Sequence, residues 1–563
     1  MILVSTDTSP HSSMSTRTTN WVPIREEYRG QPRTIKIITI GAGYSGLTMA
    51  YKIQHQHRLA DTIEHVVYEK NSDIGGTWYE NQYPGIRCDT PAHIYTFSWE
   101  PNPDWSSFYV SGPEIHAYIK RTAAKYNLEK NIQLNSKVVS AEWNELDGKW
   151  HVHIEQKGKV IEDVSDILIN GCGVLNNWQW PNIDGLKDFQ GHLVHTARWK
   201  DGYNFEGKKV GLIGNGSSAI QILPQIQPIA ADVTIFIRTP TWICPNFSAQ
   251  YAGDDGKNFN YTNEQKAEFR SNPKKLLELR KSLEHDMNKF FVVYQKDSSE
   301  QASTRESVKQ LMLKRLNGNK ELATKLIPQW GVGCRRPTPG DGYLEAIIEK
   351  NVDVSISDIV CITKTGLLTI DEKHHNLDAI ICATGFDVSF CPTWKLIGRN
   401  QIDIAQLWET NPEGYFGIAA HGFPNYFIFV GPNYPVSHGS LLACIETSAD
   451  YILKWIKKIQ EEDIHSIEVT KDAVDDYNTY TQEFMKRTVW TSGCRSWYKN
   501  HKIDGKIMAM YPGSVLHYKE MLDVLRGEDF IIKYNTVNRF TFMGNGFTKR
   551  ETNDEDLSYY LEK

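Results

Sequence analysis

Residues Thr34 to Gly46 read TIKIITIGAGYSG, and this stretch decides the fold. Thr34 to Ile40 is short, β-branched and apolar, as a strand buried on both faces must be. It runs into Gly41-Ala42-Gly43-Tyr44-Ser45-Gly46 and then into Leu47 to Gln56, which reads as helix. His65 to Tyr68 reads as a second strand and ends at Glu69. Strand, glycine turn, helix and strand make a βαβ unit. Gly41 permits the tight turn, Gly43 leaves room for a pyrophosphate against the backbone, and Gly46 lets the helix pack on the strand. The helix N-terminus then offers free N–H groups to the phosphates. Glu69 stands where a carboxylate accepts hydrogen bonds from a ribose. A structural turn is the plain alternative, but the strand before it, the helix after it and the acid beyond all favour a dinucleotide.

The pattern recurs. Lys209 to Ile213 reads as a strand and is followed by Gly214-Asn215-Gly216-Ser217-Ser218-Ala219, with Ala in the third glycine position. The return strand, Asp232 to Ile237, ends in Arg238-Thr239 rather than an acid. An arginine there pairs with a 2′-phosphate and favours NADPH over NADH; the alternative is an arginine that faces solvent. Two such units imply two dinucleotides, a bound FAD and an exchanging NADPH, because hydride passes readily between flavin and nicotinamide. A third apolar strand, Ala379 to Cys382, leads into Ala383-Thr384-Gly385. Between Thr262 and Ile327 glycine nearly vanishes and apolar residues recur at helical spacing, including Leu276, Leu277, Leu279 and Leu283, then Leu311, Leu313 and Leu316.

The expected fold class is therefore α/β, with two Rossmann-like dinucleotide-binding domains and a helical insertion. The expected division is an N-terminal arm at 1–30, a first FAD-binding part at 31–185, and a first NADPH-binding part at 186–250. The helical insertion follows at 251–327, a second NADPH-binding part at 328–380, a second FAD-binding part at 381–545, and an acidic tail at 546–563. Met1 to Asn20 is Ser- and Thr-rich, and its Ile2-Leu3-Val4 run is too short for a signal-peptide core.

A length of 563 residues exceeds what one core supports, so two to four domains are expected. A net charge of -6 on a chain of this size gives no reason to expect nucleic acid or an anionic membrane as partner, and no stretch is apolar enough to span a bilayer. The nine cysteines show no metal-ligand spacing and no CxxC pair. Reduced thiols and a cytoplasmic setting are expected, and a flavin disulfide reductase is disfavoured. With 16 Trp, 27 Tyr and 21 Phe, aromatic residues suffice both for large cores and for a pocket around a bulky apolar ligand.

Between the two units, Phe189, Gly191, His195 and Trp199 fall in the order FxGxxxHxxxW. The string resembles the fingerprint of Baeyer–Villiger monooxygenases, flavoproteins of class B, although Lys200 stands where that family usually has Pro. Related N- and S-oxidising flavin monooxygenases carry a similar string with a different aromatic followed by Lys. Other segments favour the Baeyer–Villiger side. Gly75-Gly76-Thr77-Trp78-Tyr79 and Tyr83-Pro84-Gly85-Ile86-Arg87-Cys88-Asp89 are similar to its flavin-contacting stretch. Cys334-Arg335-Arg336-Pro337 is similar to its catalytic arginine segment, Ala383 to Asp387 to its return to the flavin domain, and Ala509 to Ser514 with His517-Tyr518 to the C-terminal part of fungal members.

The resemblance implies catalytic roles for Arg336 and for Asp89, which supports it. It also implies flavin contacts from Gly76, Thr77, Trp78, Asp89 and Tyr95, and NADPH contacts from Ser217, Ser218, Arg238, Thr239, Arg335, His195 and Trp199. The implied reaction uses FAD, NADPH and O2 to insert one oxygen atom beside a ketone carbonyl through a C4a-peroxyflavin. The ketone implied is bulky: polyketide-, terpenoid- or steroid-like. Three alternatives stay open: N- or S-oxygenation, a pyridine-nucleotide reductase, and a catalytically silent dinucleotide-binding module.

Overall fold

Isoleucine fills four of the six positions of the strand Ile35–Ile40, and Ile37 and Ile38 are fully buried on its opposite faces. A parallel strand covered on both sides tolerates this composition because no face meets water. Truncating Ile37 to Ala would cost about 2–5 kcal/mol by removing buried methyl groups and leaving a cavity. The computed structural model describes residues 22–199 and 202–561; most of the expected arm, and Lys200, lie outside the described residues.

Ile35–Ile40 lies at the centre of a five-stranded parallel sheet. Ile167–Asn170 and then Tyr426–Ile428 lie to one side, Ile63–Tyr68 and then Ile132–Gln133 to the other. A second parallel sheet runs in the order Val352–Ser355, Asp232–Phe236, Lys209–Ile213, Ala379–Cys382, His192–His195. Every strand of the second sheet lies in sequence between the last two strands of the first, so the fold is two doubly wound α/β units, one within the other. Ala379–Cys382 pairs on both sides within the second sheet and so straddles the expected division at residue 380.

The stretch from Thr262 is helical, with helices at Asn263–Ser271, Pro273–Lys289, Ser299–Arg315 and Lys320–Leu326. Thr262 caps the first of these by a reciprocal capping box with Gln265. Leu276 and Leu283 are buried on one face, as their spacing requires, whereas Leu277 lies on the exposed side.

The cysteines depart from expectation. Cys334 and Cys494, both fully buried, form a disulfide across 160 residues of chain, while seven cysteines are free. Spacing along the chain carries no trace of this pair. It arises only where the loop around Cys494 packs on the segment that carries Arg335 and Arg336, bringing the two Cα atoms to 6.2 Å. Among the described residues no helix is long and apolar enough to cross a membrane, and no cluster of His, Cys, Asp and Glu could hold a metal ion.

Candidate active site

The two glycine loops are built alike. Gly41 has φ +102° and Gly214 has φ +111°, a region that favours glycine. Gly41 donates to the Tyr68 carbonyl at 2.8 Å, and Gly214 donates to the Phe236 carbonyl at 3.0 Å. A Cβ on Gly46 would lie 2.0 Å from the Gly41 carbonyl oxygen, so helix and strand touch there as the third glycine requires. A Cβ on Gly216 would meet no atom within 4 Å, and this open space is what a pyrophosphate needs. Glu69 is buried at the end of its strand. Its carboxylate accepts from Ala42 N–H inside the first loop at 2.8 Å and from Asn71 N–H at 2.9 Å. Burial raises the Glu69 carboxyl above the ordinary range, and these backbone donors hold it back. The positive-φ glycine, the tight helix–strand contact and the acid suit a dinucleotide at the first loop, and the open space at Gly216 suits one at the second.

Gly76, at φ +53°, brings its backbone against Gly43: a Cβ on Gly76 would lie 3.1 Å from Gly43 Cα. The short helix Thr77–Glu80 follows, with Thr77 exposed and Trp78 buried. Trp78 Nε1 donates to Tyr95 Oη at 3.2 Å. The next stretch crosses to the other unit. Tyr83 donates to Gln221 on the helix Ser217–Ile226 at 3.0 Å, and a Cβ on Gly85 would fall 2.5 Å from the Gln221 carbonyl. The segment leading to Asp89 is thereby wedged between the two dinucleotide sites.

There Asp89 meets Arg336. The guanidinium donates to both carboxylate oxygens, at 2.5 and 3.0 Å, in a bidentate pair. The pair is half-buried, with side-chain exposures of 36 % for Arg336 and 19 % for Asp89. Burial opposes the charge on Arg336, but Asp89 outweighs it and raises the guanidinium above its usual value. Phe247 lies over the guanidinium at 5.9 Å and contacts Phe290. Tyr294, also beside Arg336, is buried and donates to the Ser437 carbonyl at 2.7 Å. Sequence reasoning missed Phe247, Phe290 and Tyr294, because aromatic residues in a helix-rich stretch carry no local mark of a pocket.

On the other unit, Ser217 lies 3.5 Å from Thr338, whose hydroxyl donates to the Arg336 carbonyl. Ser218 is a hydrogen-bond partner of Tyr83. Arg335 donates to the Thr239 and Pro240 carbonyls at 3.3 and 3.1 Å, and Arg238 lies close enough to lower its pKa. At the same carboxyl end of the second sheet, His195 pairs with Cys382, which pairs in turn with Ile213 just before Gly214. His195 Nδ1 accepts from Ala197 N–H, so Nε2 carries the proton and donates to Thr384 at 3.2 Å. Burial holds this imidazole at about 4 and therefore neutral. Trp199 stacks with Phe205 at 5.6 Å. His195 thus ties the linker to Thr384 just beyond the strand Ala379–Cys382, and Trp199 packs on Phe205.

The flavin-binding monooxygenase-like family model matches residues 34–291. The chain is 47% identical to the FAD-binding monooxygenase tazF of Aspergillus terreus, over 94% of this chain and 95% of that protein. It is 31% identical to a Baeyer–Villiger monooxygenase of Pseudomonas aeruginosa, over 87% of this chain and 90% of that protein. Among solved structures, cyclohexanone monooxygenase from Rhodococcus sp. Phi1 bound to NADP+ superposes with a TM-score of 0.76 at 26% identity, covering 89% of this chain and all of that one.

Proposed function

Because the chain belongs to the FAD- and NADPH-dependent flavoprotein monooxygenases of the Baeyer–Villiger type, we propose that it inserts one oxygen atom of O2 beside the carbonyl of a bulky ketone, giving an ester or lactone. The observation that carries this reading is the bidentate Arg336–Asp89 pair at the junction of the two dinucleotide loops.

FAD, which the Gly41 loop and Glu69 would hold, would supply activated dioxygen when bound and reduced. The chain's own residues do the rest. Arg336 is a cation at any working pH, and Asp89 fixes its plane. A fixed positive charge stabilises the oxyanion that develops when a ketone carbonyl carbon is attacked, at no cost of reorganisation. It equally favours an anionic oxygen nucleophile over its protonated form. Phe247 and Tyr294 set aromatic surface beside the guanidinium, with Phe290 packed against both rings, which suits a flat, polycyclic polyketide-, terpenoid- or steroid-like ketone. Arg238, Thr239 and Arg335 take the 2′-phosphate of NADPH, and Glu69 the FAD ribose. A cytoplasmic location, where NADPH is supplied, belongs to the same reading.

The test is incubation of the FAD-loaded enzyme with NADPH, 18O2 and a panel of polycyclic ketones, with amine and sulfide probes alongside. One 18O in a base-labile ester or lactone supports the reading. Labelled N- or S-oxides with untouched ketones would replace it with heteroatom oxygenation.

A further inference from the structure

Three guanidinium groups and one imidazole gather beside the Arg336 segment, and among the described residues no carboxylate pairs with them. Arg238 ends its strand exposed to solvent, and Arg335 hydrogen-bonds to the carbonyls of the two residues that follow Arg238. The other two belong to the loop after Thr488. Arg495 donates to the His501 carbonyl at 2.9 Å, and His501 N–H donates to the Ser496 carbonyl at 2.9 Å, closing a tight turn with an antiparallel bridge from Ser496 to Lys502. The Cys334–Cys494 disulfide pins this loop to the arginine segment, and each cysteine is followed directly by an arginine, Arg335 and Arg495.

The electrostatics agree with the geometry. Burial and the charge of Arg238 together pull Arg335 down to about 10. His501 is lowered by burial and then by Arg238, Arg335 and Arg495, all cations. Among the described residues none of the four groups forms an ion pair with an acidic side chain. Like charges held together in this way cost free energy unless an anion joins them. A phosphate monoester has the right charge, near −2, and enough acceptor oxygens for several guanidinium donors. The pyrophosphate has its own place at the Gly216 loop, so the anion suited to this cluster is a second, separate phosphate.

We propose that Arg495 and His501 complete the 2′-phosphate site begun by Arg238 and Arg335, so that the C-terminal loop helps the enzyme distinguish NADPH from NADH. The proposal rests on the reading of Arg238 and Arg335 as NADPH residues. Both loop residues touch the cofactor rather than the reacting atoms. Their part is to hold the 2′-phosphate.

The experiment is calorimetric titration of the FAD-loaded enzyme with 2′,5′-ADP, 5′-ADP, NADP+ and NAD+. Arg495→Ala is expected to weaken 2′,5′-ADP and NADP+ roughly tenfold or more, as loss of a charge-assisted hydrogen bond does, and to change 5′-ADP and NAD+ less than about twofold. His501→Ala should act in the same direction, and Arg495→Lys should restore most of the loss. The proposal is overturned if the loop variants keep the wild-type preference for the 2′-phosphate, or if they weaken all four ligands alike. Arg238→Ala separates the two levels. If it abolishes the preference while the loop variants keep it, only the loop's part fails; if it too changes nothing, the NADPH reading of this strand end fails with it.

Discussion

Asp89 holds Arg336 by both carboxylate oxygens, although 247 residues separate them and they belong to different dinucleotide units. A bidentate pair fixes the plane of the guanidinium as well as its position, so the cation meets the junction in one orientation. Arg336→Ala should leave reduction of the flavin by NADPH nearly unchanged, since hydride transfer does not use this charge. Ester formation should fall by roughly 10²–10³ or more, the usual effect of removing a donor to a developing oxyanion. Stopped-flow reduction and product yield measure the two steps separately, and equal losses in both would refute the division of labour. Asp89→Ala should give a smaller loss in the same step, because Arg336 stays charged but is no longer oriented.

The glycines make opposite predictions at two equivalent-looking loops. Gly46→Ala places a methyl 2.0 Å from the Gly41 carbonyl oxygen, and the contact is with backbone. The helix must move off the strand, so the variant should purify without flavin colour or fail to fold. Gly216→Ala meets nothing within 4 Å. It should fold and keep FAD with an unchanged melting temperature, yet bind NADP+ weakly because the methyl occupies the pyrophosphate's space. Unchanged NADP+ affinity in this variant would mean that the second loop does not cradle the cofactor.

The Cys334–Cys494 link closes a loop of about 160 residues, for which chain entropy gives about 5 kcal/mol of stabilisation as an upper figure. Protein purified without reductant should show seven free thiols on unfolding, and Cys494→Ser or treatment with a dithiol should lower its melting temperature. Nine free thiols would show that the two sulfurs meet without bonding, as a reducing cytoplasm favours.

How far the chain could be read follows from the range of each signal. Gly41, Gly46 and Gly214 were legible because each is forced by contacts within one strand–turn–helix. The helices after Thr262 were legible from the spacing of Leu276 and Leu283, although the same reading could not tell that Leu277 faces water. Arg336 and Asp89 were not legible from spacing; they came from resemblance, since no local pattern joins an aspartate in one unit to an arginine in the other. Cys494, Arg495, His501 and Phe247 were invisible for the same reason carried further. Their roles exist only once a loop far along the chain has folded back on the arginine segment, and nothing in the intervening sequence records that event.

Buried titratable groups set opposing pH slopes. His65, His93, His195 and His438 are each pulled from an ordinary 6.5 to about 4, chiefly by burial. Their folded values lie below their unfolded ones, so the unfolded chain binds more protons. The stability they contribute is present above about 6.5 and is lost as pH falls through about 4. Glu284 does the reverse. Burial raises its carboxyl to about 7, against the pull of Lys519 and Arg280. Its contribution is full below its unfolded value and is lost as pH rises through about 7. Glu284→Gln removes that loss without removing the shape of the side chain. The difference in melting temperature, variant minus wild type, should therefore climb between about pH 5 and pH 8, while both proteins lose stability together on acidification below about pH 6. A flat difference across that range would place the Glu284 carboxylate in contact with water in the folded enzyme.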